Sequence, residues 1–79
     1  MTATNKLVNA FAVALEIEKN EANDNLQYNE DKRWDSTAHM ILIAQLEDDF
    51  DVMFEVDDII DMSSFVKAKE LLEKHGIQF

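Results

Sequence analysis

Ser36 follows Asp35 where a polar, turn-forming stretch gives way to an apolar-periodic run, so Asp35 reads as a helix N-cap and Ser36 as the first helical residue. A hydroxyl at that place lies near unsatisfied amides and the positive end of the helix dipole. Both favour an anion, so a phosphoryl or phosphodiester group on Ser36 is electrostatically welcome. Taken alone, an Asp-Ser pair at a helix start is only a cap. A hydrolase built on Ser36 and His39 would need an acid-oriented base and a strand-turn-helix elbow, whereas both residues fall on one short helical arc. His39 reads instead as a helix-surface or interhelical residue, and His75 as a favourable cation at a helix end. Asp49, Asp51, Glu55 and Asp58 suggest a calcium loop but lack its sharp-turn Gly and its ligand spacing, so no metal site is expected beyond weak divalent association with the acidic surface.

The second chemical feature is charge. From Asp35 to Asp61 there are nine acids and no Lys or Arg, while residues 1–34 come to −2 and residues 62–79 to +1. Such a block repels itself and lowers the stability of the compact state. Two readings stand at this point, a solvated face that keeps a small domain in solution and a docking surface for basic partners.

The elements that must position these residues are helical. There is no Pro and one Gly, and apolar residues recur at three and four. The stripe of Leu7, Phe11, Ala14 and Leu15 predicts helix one over Thr4 to Glu18. Residues 19–33 lose periodicity and are rich in Asn, Asp and Glu, predicting a long loop pinned by Leu26 and Tyr28, with Trp34 a packing anchor at its end. Helix two is predicted from the Asp35 cap to Phe50, burying Met40, Leu42, Ile43, Leu46 and Phe50. Glu47, Asp48 and Asp49 crowd its last turn against the macrodipole, which points to a surface requirement rather than helix stability. Asp57 to Asp61 predicts a short third helix, too short to stand alone. Ser63 or Ser64 caps a fourth helix carrying Phe65, Val66, Ala68, Leu71 and Leu72. Gly76 ends it in a Schellman motif that folds Ile77 back on Leu72. The expectation is an all-α, four-helix bundle of three longer helices and one short one, with a long loop between helices one and two. Its core is expected to take Leu7, Phe11 and Leu15 from helix one and Leu42, Ile43, Leu46 and Phe50 from helix two. Phe54, Ile60, Phe65 and Leu71 complete it.

Composition narrows the function. Seventy-nine residues make one domain, residues 1–79, able to bury roughly 60% of the unfolded chain's surface, which excludes a multidomain enzyme. A net charge of −10 argues against nucleic-acid or anionic-membrane partners, which require a basic footprint. The longest apolar run, Met40 to Ala44, is far too short to span a bilayer, and the basic-then-apolar order of a secretory signal is missing at the N-terminus. With no Cys there is no disulfide and no thiolate ligand, so apolar packing must hold the chain, and a reducing cytoplasmic location is expected.

Three runs together are specific. They are Trp34-Asp35-Ser36-Thr37-Ala38-His39-Met40, Leu42-Ile43-Ala44-Gln45-Leu46-Glu47-Asp48-Asp49-Phe50, and Val56-Asp57-Asp58-Ile59-Ile60-Asp61-Met62-Ser63-Ser64-Phe65. Over about Trp34 to Leu72 the chain resembles the acyl carrier proteins. The resemblance implies that Ser36 is esterified by 4′-phosphopantetheine, whose thiol carries an acyl chain as a thioester, with Asp35 beside the attachment point. It implies no catalysis of the chain's own and a monomer that meets a phosphopantetheinyl transferase and acyl-processing enzymes through their basic patches. Asp35, Thr37, Ile41, Glu47, Asp48, Asp57 and Asp58 then set orientation and encounter rate, and the core would yield to accept an acyl chain. Thr37 stands where the family usually has Leu, and Ile41 where fatty-acid-synthesis carriers have an acid. The Trp34 start and His39-Met40 look more like stand-alone carriers of specialised pathways, so the resemblance implies fatty-acid synthesis or specialised lipid, polysaccharide or secondary-metabolite synthesis. The alternatives are a peptidyl or aminoacyl carrier, which typically has a Gly-rich lead-in and a less acidic surface, and an acidic interaction module without a prosthetic group.

Overall fold

The computed structural model describes residues 2–79. Thr2 opens the first helix, its hydroxyl accepting the Asn5 N–H at 3.1 Å. This helix, α1, spans Ala3–Leu15 and buries Leu7, Ala10, Phe11, Ala14 and Leu15. It stops short of the expected Glu18 because Glu16 turns into the left-handed region at φ 56°, and the Ile17 N–H reaches back to the Ala12 carbonyl at 3.1 Å. Ile17 is thereby folded into the core.

The second helix, α2, is Ser36–Phe50, capped by Asp35, whose carboxylate accepts the Ala38 N–H at 2.9 Å. Ala38, Leu42, Ile43, Leu46 and Phe50 face inward. Met40, expected in that stripe, is 56% exposed. At about 100° per residue it lies about 200° around the helix from Leu42, on the outer face. The third helix, α3, is Val56–Asp61, and the fourth, α4, is Phe65–Lys74, capped by the Ser64 hydroxyl on the Lys67 N–H at 2.9 Å. Ile60, expected in the core, is 72% exposed. In so short a helix the inward positions fall to Asp58, Ile59 and Met62, and Val56 and Ile60, one turn apart, point outward.

Among the described residues these four helices and one 3₁₀ turn, Lys19–Glu21, make up the regular structure, with no β-strand. α1 packs along α2. The long connection between them is tied to the entrance of α4: the Tyr28 N–H donates to the Ser63 carbonyl at 2.9 Å and the Phe65 N–H to the Leu26 carbonyl at 3.0 Å. Leu26 is buried and Tyr28 half-buried, as expected of the residues that pin the loop. Arg33 braces the same loop, its guanidinium donating to Glu21 at 3.0 and 2.7 Å and to Asp31 at 2.9 and 2.7 Å. That contact holds the Asp31 carboxyl well below the usual range, at about 2. Trp34 closes the loop wholly buried, edge-on to Phe11 with ring centroids 5.2 Å apart.

α4 ends as its sequence requires. Gly76 takes φ 94°, its N–H donates to the Glu73 carbonyl at 3.0 Å, and the Ile77 N–H donates to the Leu72 carbonyl at 3.1 Å, the two bonds of a Schellman ending. α1 and α2 end in the same left-handed turn without glycine, using Glu16 at φ 56° and Asp51 at φ 53°. Left-handed backbone costs an L-residue about 1–2 kcal/mol, and glycine returns part of that gain as unfolded-state entropy. Glu16→Gly is therefore expected to raise stability by about 0.5–1 kcal/mol, and Asp51→Gly by less because Asp tolerates this region better. Gly76→Ala is expected to lower stability by about 1 kcal/mol. Urea denaturation of the three variants checks the signs, and a loss from either glycine insertion would contradict the assignment.

Candidate functional site

Ser36 lies exposed on the first turn of α2. The Ala38 amide is taken by the Asp35 carboxylate and the His39 amide by the Asp35 carbonyl at 2.8 Å. The amides of Ser36 and Thr37 precede the first intrahelical bond and stay available at the positive end of the dipole. Asp35 is engaged as a cap, which places its charge beside Ser36 without making it a base for the hydroxyl. An open cleft of about 430 Å³ adjoins this turn, lined by Val13 and Leu15 of α1, by the cap residue Asp35 and by Thr37 and Ile41 of α2.

His39 is not a base for Ser36 either. The Trp34 Nε1–H donates to its Nδ1 at 3.0 Å, and its Nε2 lies 2.8 Å from the Ile59 carbonyl. An indole N–H only donates and a carbonyl only accepts, so these partners assign the neutral tautomer with the proton on Nε2. The relay joins the end of the long loop, the first turns of α2, and α3. Sequence periodicity gave no signal for it, because the Trp34 and His39 spacing corresponds to no helical contact and Ile59 contributes only backbone.

Thr37, Met40, Ile41, Ala44 and Asp48 are all exposed on α2 and fall at helical spacing, a stripe that opens on a hydroxyl, continues through apolar residues and ends in an acid. The relay sets α3 beside its first half, where α3 exposes Val56, Asp57, Ile60 and Asp61. Met53 precedes them at 81% exposure.

The acids expected to dock partners do not share one environment. Asp58 is buried at 3% exposure and is corrected from a docking acid to a structural one. Its Oδ1 accepts from Lys74 Nζ at 2.7 Å, and its Oδ2 accepts from His75 Nε2 at 3.1 Å and from the Glu55 amide at 3.3 Å. The cause is position: Asp58 is the third residue of α3 and, with Glu55, forms a capping box that turns its carboxylate toward the end of α4. The Glu55-x-x-Asp58 spacing was the available sequence signal. Glu47 is half-buried, its Oε2 accepting the Phe54 amide at 2.9 Å and so fixing the α2–α3 connector. Asp49 accepts from the Gln45 side-chain Nε2–H at 3.1 Å. Two of the three acids that oppose the α2 dipole thus have local partners, and Asp48 stays exposed, as do Asp35 and Asp57.

Among the described residues no group of three or more His, Cys, Asp or Glu converges to hold a metal ion, and no helix is long and apolar enough to cross a membrane. No protein-family model, curated protein or solved structure matched the chain.

Lys74, and after it His75, hold the Asp58 carboxyl at about 2, below its ordinary 3.8. The stability this carboxylate contributes is therefore complete above the ordinary value and is lost as pH falls toward 2. Asp58→Asn is expected to lower stability by about 1–3 kcal/mol at neutral pH. It should also flatten the acid limb of stability against pH, with a residual slope from Asp31. Urea midpoints measured at several pH values check this, and a variant with the wild-type acid slope would contradict it.

Proposed function

We propose that the chain is an acyl carrier protein in which Ser36 Oγ is the attachment point for 4′-phosphopantetheine. The observation that carries this reading is the exposed Ser36 on the first turn of α2, beside a stripe that runs from apolar residues into acid. The residues present fit the group: two first-turn amides and the dipole favour its phosphodiester, and the neighbouring cleft leaves room for an arm. When attached, the group supplies the thiol on which an acyl chain is carried as a thioester, the function that a chain without Cys requires from outside.

The chain's own residues do the remaining work. Asp35 holds the start of α2 and keeps a negative charge beside the hydroxyl. Met40, Ile41 and Ala44 offer apolar contact, Thr37 offers a hydroxyl where the family usually has an apolar side chain, and Asp48 and Asp57 provide exposed negative charge for the basic patches of a phosphopantetheinyl transferase and of acyl-processing enzymes. Charge of this kind acts mainly on encounter rate and orientation. The pathway served is fatty-acid synthesis or a specialised lipid, polysaccharide or secondary-metabolite route in a reducing cytoplasm, the specialised routes being favoured by the Trp34 start and the His39-Met40 pair. The carrier itself performs no catalysis.

Incubation with coenzyme A and a broad-specificity phosphopantetheinyl transferase is expected to convert the wild type fully to the heavier form and to leave Ser36→Ala unchanged by intact mass spectrometry. No mass gain under conditions that load a known carrier would leave the acidic interaction module as the surviving reading. Asp48→Lys and Asp57→Lys are each expected to slow association with the transferase by roughly tenfold at low salt, with the difference shrinking as salt rises. Stopped-flow or surface-binding kinetics read this, and an unchanged on-rate in both variants would remove these residues from the docking face.

A further inference from the structure

We propose that His39 is a proton-operated latch: its neutral imidazole fastens α3 to the start of α2, and uptake of a proton on Nδ1 releases α3. The latch stands on hydrogen-bond geometry alone, and only its consequence for docking rests on the carrier reading.

Each bond of the relay has one possible direction. Trp34 Nε1–H donates to Nδ1 at 3.0 Å, and Nε2–H donates to the Ile59 carbonyl at 2.8 Å. Ile59 lies in the last turn of α3, where carbonyls have no intrahelical donor, so the imidazole supplies what the helix leaves open. A proton on Nδ1 sets two N–H donors face to face. Trp34 has no freedom to withdraw, being wholly buried and held edge-on by Phe11 at 5.2 Å and by Tyr28 at 5.9 Å. The imidazole must move, and the Ile59 bond moves with it.

The neighbouring carboxylates of Asp35 and Asp58 are already engaged, which leaves the cation the ring faces of Tyr28 and Trp34. From the long loop, Tyr28 lies 5.1 Å from the imidazole, centroid to centroid. On α2, the carboxylate of Asp35, one turn earlier, caps Ala38. On α3, the carboxylate of Asp58, next to Ile59, is taken by Lys74, His75 and the Glu55 amide. α3 has six residues and cannot hold its place unaided. With the His39 bond broken it stays tethered at Asp58 and swings, carrying Val56, Asp57, Ile60 and Asp61 out of register with the α2 stripe. Uptake of this proton would then weaken docking without unfolding the domain.

The test is NMR on the full chain from about pH 8 to 5, following the imidazole nitrogens, the Trp34 indole N–H and the α3 amides. At the upper end His39 is expected to carry its proton on Nε2. As it gains the second proton, the Trp34 indole and the Ile59–Met62 amides should shift with the same midpoint, and α3 amide exchange should accelerate about tenfold beyond the intrinsic pH effect. His39→Gln should abolish this response. The proposal is overturned by a proton on Nδ1 in the neutral form, by Trp34 and α3 signals that stay flat while His39 titrates, or by a His39 that stays neutral until the chain unfolds. Persistence of the response in His39→Gln overturns it too. The wild-type spectra decide the matter even where His39→Gln does not fold, and failure of Ser36 to accept an arm would leave every one of these readings unchanged.

Discussion

A six-residue helix has no stability of its own, so what α3 presents to solvent depends on what holds it, and the buried carboxylate of Asp58 is the strongest of those ties. It closes the first turn of α3 through the Glu55 amide and receives Lys74 and His75 from the end of α4. A buried charge is tolerable only when its oxygens are occupied, and here both are. With α3 anchored there and bonded to His39 on its other side, Val56, Asp57, Ile60 and Asp61 face outward beside the α2 stripe.

The acidic middle of the chain is therefore divided by role. Asp58 organises α3, Glu47 fixes the connector through the Phe54 amide, and Asp35 caps α2. Asp48 and Asp57 are left exposed without such duties. The excess negative charge is partly structural and partly free, with Asp48 free at the end of the α2 stripe and Asp57 free on α3 beside it. Charge that remains unpaired after structural needs are met is well suited to steering a basic partner.

Much of the architecture was legible in sequence because it rests on local rules. Asp35 and the Ser63-Ser64 pair announced helix starts, the structure choosing Ser64 as the cap, and Gly76 announced its left-handed ending. Helix one ran three residues short because Glu16 adopts the left-handed turn usually marked by Gly or Asn, which left no compositional sign. Met40 and Ile60 were assigned inward from apolar type, although helical phase puts them outward. At the site, the exposure of Ser36 followed from its place after the cap. The burial of Asp58 and the Trp34–His39–Ile59 relay are tertiary: Asp58 meets Lys74 sixteen residues on, His39 meets the Ile59 carbonyl twenty residues on, and Trp34 reaches His39 from outside the helix, so periodicity carries none of them.

The carrier reading rests on whether the hydroxyl at the start of α2 accepts the arm in the folded chain. Tandem mass spectrometry of the transferase-treated native protein, with peptide mapping across residues 34–46, tests that most directly. The account predicts one modification per chain, located on Ser36, with its loss in Ser36→Ala. A chain that stays at its unmodified mass, or that gains the group at another residue, would contradict it.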